Sequence, residues 1–488
     1  LIRFGILILT SLFSFGLFAA GHDLSTSPPT ANQTGAVVTG NGSGFIAAWI
    51  DWAPQGRNTI VSGRASGDGA SIGGAGAAIE QPQVQSIAIA HSPSDTLVAW
   101  IADGNVYAER LSASGLSLAT ILLTPAKAFP SDVAVAWNGS RYFVIWSTSQ
   151  QLTGAFIAAD GSSTLPHAFF TEPSPLSDVP VVPDIAWNGQ HFLVVFGELP
   201  PPCMFTCPVT YPDRFRLMRV SVEGDAIGSP PLLITGIHRR AHVASSGAES
   251  LIALDSLSDV STIIAHDASS LTIDAETPLF RWIPEIASGV VWDGATYTVG
   301  WRYVGKDTSW IGAAHVARSG FPFDYRFTAA GGPFPYPNTL WWGRPSVAVN
   351  DIGLAAFAIT EASSSFSRAR LYLASEFAPM PPPPPAPRNV VSYAGGNYAG
   401  GTSARIDWQS DDGAAGFVVE VWSRYYDLSS GYYNAWNLYG TVPGDARTIT
   451  VNANVGSLFR VRAFGPGGVS DGPVTTIRSM PRRRAERP

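Results

Sequence analysis

Trp137-Asn138-Gly139-Ser140-Arg141-Tyr142-Phe143-Val144-Ile145-Trp146 is the stretch that decides the fold. Asn-Gly suits the two positive-φ positions of a type I′ turn, so the decapeptide reads as a tight β-hairpin. The rings and β-branched residues after the turn suit a pleated surface. The chain repeats the pattern in Trp187-Asn188-Gly189-Gln190-His191-Phe192-Leu193-Val194-Val195-Phe196 and in Trp292-Asp293-Gly294-Ala295-Thr296-Tyr297-Thr298-Val299-Gly300-Trp301. Each copy runs from an aromatic through Asn-Gly or Asp-Gly to a second aromatic and a closing ring. An alternating apolar strand such as Pro183 to Trp187 leads into the turn.

Weaker copies fill the gaps. Phe45 to Trp49, Leu97 to Trp100, Leu251 to Leu254 and Leu354 to Phe357 occupy the second-strand position, and Pro345 to Asn350 echoes the strand before the hairpin. Markers Trp49, Trp100, Trp146, Phe196, Leu254, Trp301 and Phe357 are spaced by 51, 46, 50, 58, 47 and 56 residues, which defines seven units. Units continue with a third strand ending in a glycine turn, as at Asp160-Gly161, Glu223-Gly224 and Ser319-Gly320, and then a short apolar segment such as Leu232 to Ile234. Four short strands at this period match the blade of a β-propeller. An open β-solenoid has shorter coils, and two adjacent sandwiches would not repeat one hairpin signature. The expected fold is all-β, a seven-bladed β-propeller over residues 33–377.

Composition narrows the function classes. The 488 residues carry 45% hydrophobic and only 14% charged side chains, with a net charge of −7. That is too apolar for a disordered chain and too acidic for general nucleic-acid affinity, which needs a concentrated basic surface. Arg3, an apolar run from Phe4 to Phe18 and the small residues Ala19-Ala20-Gly21 have the three parts of a secretory signal. The run is shorter than the roughly 20 residues of a membrane span, so residues 1–21 are expected to be removed and the mature chain to have no transmembrane segment. The expected location is secreted, periplasmic or cell-surface associated. In such an oxidising compartment Cys203 and Cys207, the only two cysteines, most simply close a small disulfide loop.

The pattern Pro-x-Val/Ile-Ala-Trp-Asn-Gly-x-x-Tyr/Phe-x-Val-x-Trp resembles that of secreted bacterial β-propeller repeat proteins. The resemblance is sharp in the third, fourth and sixth units, while the unit around Leu251 lacks the aromatic pair. A proline-rich stretch, residues 378–388, follows and reads as a stiff polyproline spacer of roughly 30 Å. Residues 389–480 hold alternating strands, among them Ile406-Asp407-Trp408, Phe417 to Trp422 and Phe459 to Ala463. They resemble a fibronectin type III domain, a two-sheet β-sandwich, with Trp408 as its core tryptophan. Where that family usually carries a corner tyrosine this chain has Ser457. Residues 481–488 form a basic tail.

No stretch spells out a catalytic machinery. Gly69-Ala70-Ser71-Ile72-Gly73 fits a nucleophile elbow in letters, but it lies in an all-β pattern with no helix to follow. His238-Arg239-Arg240-Ala241-His242 has metal-like spacing without the glutamate of a zincin, and reads as a surface or satisfied pair. Neither a metal nor a cofactor is implied. Asp132, Asp184 and Glu285 recur near the starts of inferred innermost strands, where a channel would be lined; paired carboxylates there bind cations or act in glycoside hydrolysis. They stand five, three and seven residues before the hairpin Trp, which argues against convergence. Tyr336, Trp341 and Trp342 sit in a Pro/Gly-rich loop, and Tyr425, Tyr426, Tyr432, Tyr433, Trp436 and Tyr439 cluster in the last domain. Flat aromatics with polar neighbours suit sugar faces or protein partners. The expectation is a monomeric, non-catalytic binding or scaffold protein for a glycan or an extracellular protein. The alternative is an extracellular carbohydrate-active enzyme with its site in the propeller channel.

Overall fold

The structure is a computed structural model. It describes residues 21–24, 32–52, 57–72, 76, 78–124, 127–171, 179–199, 212, 214–235, 238–256, 259–267, 270–281, 285–304, 309–330, 345–362, 367–398, 401–411, 414–427, 431–453, 455–465, 467–470 and 472–477. Among these residues every regular element is a strand except one 3-10 turn, Ala374–Glu376. No described helix is long and apolar enough to cross a membrane.

From Asn32 to Leu373 the strands form seven antiparallel sheets in chain order. Their innermost strands are Asn32–Asn41, Ser86–His91, Asp132–Trp137, Val179–Trp187, His238–Ser245, Glu285–Trp292 and Ser346–Val349. Consecutive innermost strands touch, and the seventh touches the first. The sheets therefore radiate from one axis, in the manner of a β-propeller. Side chains stitch the seam between the first and seventh sheets. Val38 N–H donates to Ser346 Oγ at 3.1 Å, Ala369 N–H to Gln33 Oε1 at 2.9 Å, and Asn350 Nδ2 to the Ser43 carbonyl at 2.8 Å. A two-residue strand, His22–Asp23, pairs with Leu371 and Arg370 as the outer strand of the seventh sheet. It lies outside the 33–377 span read from the repeat.

The repeated signature has a packing cause. Each marker side chain is at most 1% exposed, and each belongs to a different apolar cluster. Trp146, for example, leaves the third sheet to meet Leu97, Ala99 and Ile101 of the second. Seven clefts between neighbouring sheets thus receive one large apolar side chain apiece, and area removed from water stabilises each pair at about 25 cal/mol per Å². The fifth unit, which lacks the aromatic pair of the signature, fills its cleft with Leu254 against Leu217 and Phe215 of the fourth sheet.

The hairpin differs in detail from a two-residue type I′ turn. Positive φ falls on Gly139, Gly189 and Gly294 (95°, 97° and 97°), not on the preceding Asn or Asp. Asn138 Oδ1 instead accepts the backbone N–H of Ser140 and Arg141 at 3.0 and 2.9 Å, and Asp293 Oδ1 does the same for Ala295 and Thr296. The polar residue is kept for its side-chain acceptor, and the glycine for its backbone.

The C-terminal part pairs a three-stranded sheet with a five-stranded one over a core of Ile406, Trp408, Phe417, Val419, Phe459 and Val461. The proline stretch does not hold it away from the ring. Ala378–Pro379 pairs with Phe327 and Arg326 at the edge of the sixth sheet. Val418, Phe464 and Val469 enter the same cluster as Phe280, Trp310 and Phe327. Apolar residues on both bodies outweigh the intrinsic stiffness of the connection.

Candidate functional site: the central channel

The sheet registers place the channel residues. In five sheets the hairpin-closing pair is five residues apart: His91 with Thr96, Trp137 with Tyr142, Trp187 with Phe192, Ser245 with Ser250, and Trp292 with Tyr297; in the first, Gly40 and Phe45, one step inside the closing Asn41–Gly44 pair, have the same separation. The third residue before the pair is then Val37, Ala88, Ala134, Asp184, His242 or Gly289. All six line one cavity of about 210 Å³ on the ring axis. Most of the lining residues are aliphatic, but the surface they expose to the cavity is mainly polar, with Asp184, His242, Arg240 and Ser346 as the polar side chains.

The fifth residue before the pair is Ser86 in the second sheet, Asp132 in the third and Arg240 in the fifth. These three meet. Ser86 Oγ donates to Asp132 Oδ1 at 2.5 Å, Arg240 Nη1 donates to Oδ2 at 2.9 Å, and Val133 N–H supplies a further bond at 3.0 Å. The Asp132 side chain is 1% exposed and that of Arg240 is 11% exposed. A buried carboxylate needs such a counter-charge to stay ionised. Here the pair spans the ring past the fourth sheet and acts as a clasp.

Asp184 sits two residues nearer the hairpin. It accepts Ile185 N–H at 3.0 Å and Val243 N–H at 3.1 Å, and its Oδ2 lies 3.3 Å from His242 Nδ1. Its side chain remains 30% exposed. The offsets of five, three and seven residues that argued against convergence differ by two or four, which is a difference in height along the strand, since side chains two apart share a face. Asp184 lines the cavity, whereas Asp132 lies buried behind Arg240, which does line it.

Glu285 begins the sixth innermost strand, opposite Val304; its side chain is outside the described residues, as are Tyr336, Trp341, Trp342, Cys203 and Cys207. The connection 331–344 leaves a strand at Ala330 and returns at Pro345, beside the start of an innermost strand. Ser86 and Arg240 were not singled out from the sequence, because a serine and an arginine 46 and 108 positions from Asp132 give no local signal. His242 was seen, and its partner is Asp184. Near the start of the fifth innermost strand His238 is buried against Phe215. Burial holds its imidazole below the usual range, against the opposing pull of Glu276, Asp259 and Asp255. Among the described residues no cluster of three or more His, Cys, Asp or Glu is arranged to hold a metal ion.

No family model matches the chain, and no curated protein matches it. Solved structures do. The beta-propeller domain of Cps50 (Swd1) from Myceliophteria thermophila is 10% identical, with a TM-score of 0.40 over 72% of this chain and 98% of that one. Kuenenia stuttgartiensis hydrazine synthase is 10% identical, with a TM-score of 0.43 over 69% and 94%. A subtype N11 neuraminidase-like protein of A/flat-faced bat/Peru/033/2010 is 11% identical, with a TM-score of 0.36 over 64% and 91%. Likeness at this level is silent on activity.

Proposed function

We propose that the chain is an exported, non-catalytic binding or scaffold protein: a closed seven-bladed propeller carrying a fibronectin type III-like sandwich, with a glycan or an extracellular protein as ligand. The observation that supports the reading is the engagement of the two candidate carboxylates whose side chains are described, Asp132 and Asp184. Asp132 is closed off by Arg240 and Ser86, and Asp184 spends both oxygens on backbone N–H groups and His242. An acid–base pair for glycoside hydrolysis needs one carboxyl group free to protonate and a second facing it across the bond. The Asp132 clasp serves rigidity instead. Export rests on the sequence pattern of residues 1–21, and the Cys203–Cys207 staple rests on that compartment.

One observation favours the second reading, catalysis in the channel. Asp184 lies beside His242 Nδ1 in the cavity lining, which brings a carboxylate and an imidazole together at one site. A glycan array combined with a panel of glycoside hydrolase assays on the purified chain separates the two. Saturable binding without turnover is the expected result; release of reducing ends from any polysaccharide, abolished by His242→Ala, overturns the non-catalytic reading.

A further inference from the structure

The five-stranded sheet of the C-terminal sandwich has one face against its own core and one face outward. Register decides what stands on the outer face. Glu420 lies opposite Arg460, and Trp422 opposite Trp436. Residues two apart share a face, so Val418, Glu420 and Trp422 form one row. At the Val418 end this row, with Phe464, is buried against the ring. At the other end it is open: Trp422 is 39% exposed, and its ring meets that of Trp436 edge-on at 5.3 Å. Arg460 packs over the Trp436 ring at 4.7 Å while bonding Glu420. Tyr426 and Tyr432 are opposite one another further along the same two strands.

We infer that this Trp422–Trp436 face is a binding site for neutral polysaccharide, a deepening that rests on the binding-protein reading above. One exposed and one half-buried indole on a sheet offer apolar ring surface of the kind that packs on the C–H faces of sugars. The charge arrangement selects the class. Among the described residues the one carboxylate on the face, Glu420, is already taken by Arg460 and Arg462, so none of them offers an acidic group to a cationic ligand. Arg460 is in turn held by Glu420 and the Trp436 ring rather than presented to an anion. A stable protein interface buries about 800 Å² per partner, and the ring body already covers the Val418 end of this face. A sugar chain needs far less.

The test is native affinity electrophoresis of the full chain through gels containing mixed-linkage β-glucan, xyloglucan, galactomannan or dextran, with polygalacturonate as the charged arm. Retardation is expected in at least one neutral gel, with Trp422→Ala and Trp436→Ala each weakening the dissociation constant by about tenfold or more. Trp422→Tyr, which keeps a flat ring, is expected to recover most of the binding. Equal thermal midpoints for the three variants show that the sandwich is intact. No retardation in any neutral gel, or retardation only by polygalacturonate, overturns the inference. So does equal retardation of wild type and both alanine variants, which leaves a glycan-binding protein with its site elsewhere. Turnover of a polysaccharide that still depends on Trp422 overturns the non-catalytic reading and keeps the platform.

Discussion

Arg240 and Asp132 are 108 positions apart, and their pairing is one of the most deeply buried ion pairs among the described residues. Removing one partner of a buried ion pair leaves the other charge without compensation, a loss of about 3–5 kcal/mol. Arg240→Met is expected to lose that much in urea unfolding. Asp132→Asn in the same chain is expected to recover a large part, because an amide costs less to bury than a carboxylate. Equal losses in the single and double variants would show that the arginine acts through its stem alone. His238 sets a pH dependence of the opposite kind. Its folded-state value is depressed, so the unfolded chain binds the proton first. Stability then falls as pH drops through about 6.5, the ordinary histidine value, and goes on falling toward the folded value. His91 is depressed by burial too. His238→Gln is therefore expected to flatten, without abolishing, the decline in urea midpoint between about pH 7 and pH 5. An unchanged slope would assign the effect to His91 and the carboxylates.

The hairpin is where one blade-like sheet is fixed to the next. Tyr142 donates its hydroxyl to the Asp95 carbonyl and carboxylate at 2.8 and 2.9 Å, and Tyr297 donates to the Glu249 carbonyl at 2.7 Å. Asp95 and Glu249 each immediately precede a hairpin-closing residue, Thr96 or Ser250, in the neighbouring sheet. The second aromatic of the signature is thus a staple between sheets as well as a core residue. Tyr142→Phe is expected to cost about 1–3 kcal/mol and Tyr297→Phe about 1 kcal/mol, read as urea midpoints. Where the unit carries Phe192 there is no hydroxyl to lose, and Phe192→Tyr is not expected to gain what the tyrosines supply. Gly300 makes a sharper test of packing. A Cβ there would stand 1.9 Å from the Phe357 ring, so Gly300→Ala is expected to cost about 1–3 kcal/mol through overpacking. These features explain what was legible. Trp-Asn-Gly and the trailing rings announce hairpins because turn and cleft both demand particular residues. The ring-poor fifth unit was hard to read, since Leu251 and Ala253 pack into a cleft whose rings, Tyr297, Trp301 and Phe280, come from its neighbours and its own outer strand. The clasp was illegible altogether, because it joins strands that only the closed ring brings together.

Seven sheets around an axis leave one problem for the whole molecule: the first and last must be joined by something other than the chain between them. Two devices do this here. One is the side-chain seam from Gln33, Ser346 and Asn350. The other is the exchange of His22–Asp23 into the seventh sheet, with Leu24 buried to 2% exposure among Trp49, Leu371 and Leu373. The strand is too short and too polar to carry a periodic signal, which is why the repeat pattern does not reveal it. Its position next to the proposed signal boundary has a testable consequence. A chain starting at His22 keeps both the strand and Leu24, whereas a chain starting at Thr26 loses both. The shorter chain is expected to lose at least the about 2–5 kcal/mol that deleting a buried leucine costs. It also uncovers the outer edge of Ser367–Leu373, an unpaired edge being a template for association. The expected readout is a lower urea midpoint for the shorter chain and a larger species in size-exclusion chromatography. If both chains unfold at the same urea concentration as monomers, the seam alone closes the ring. Closure by strand exchange would then have to be given up, because a strand that holds the last sheet to the first cannot be removed without cost.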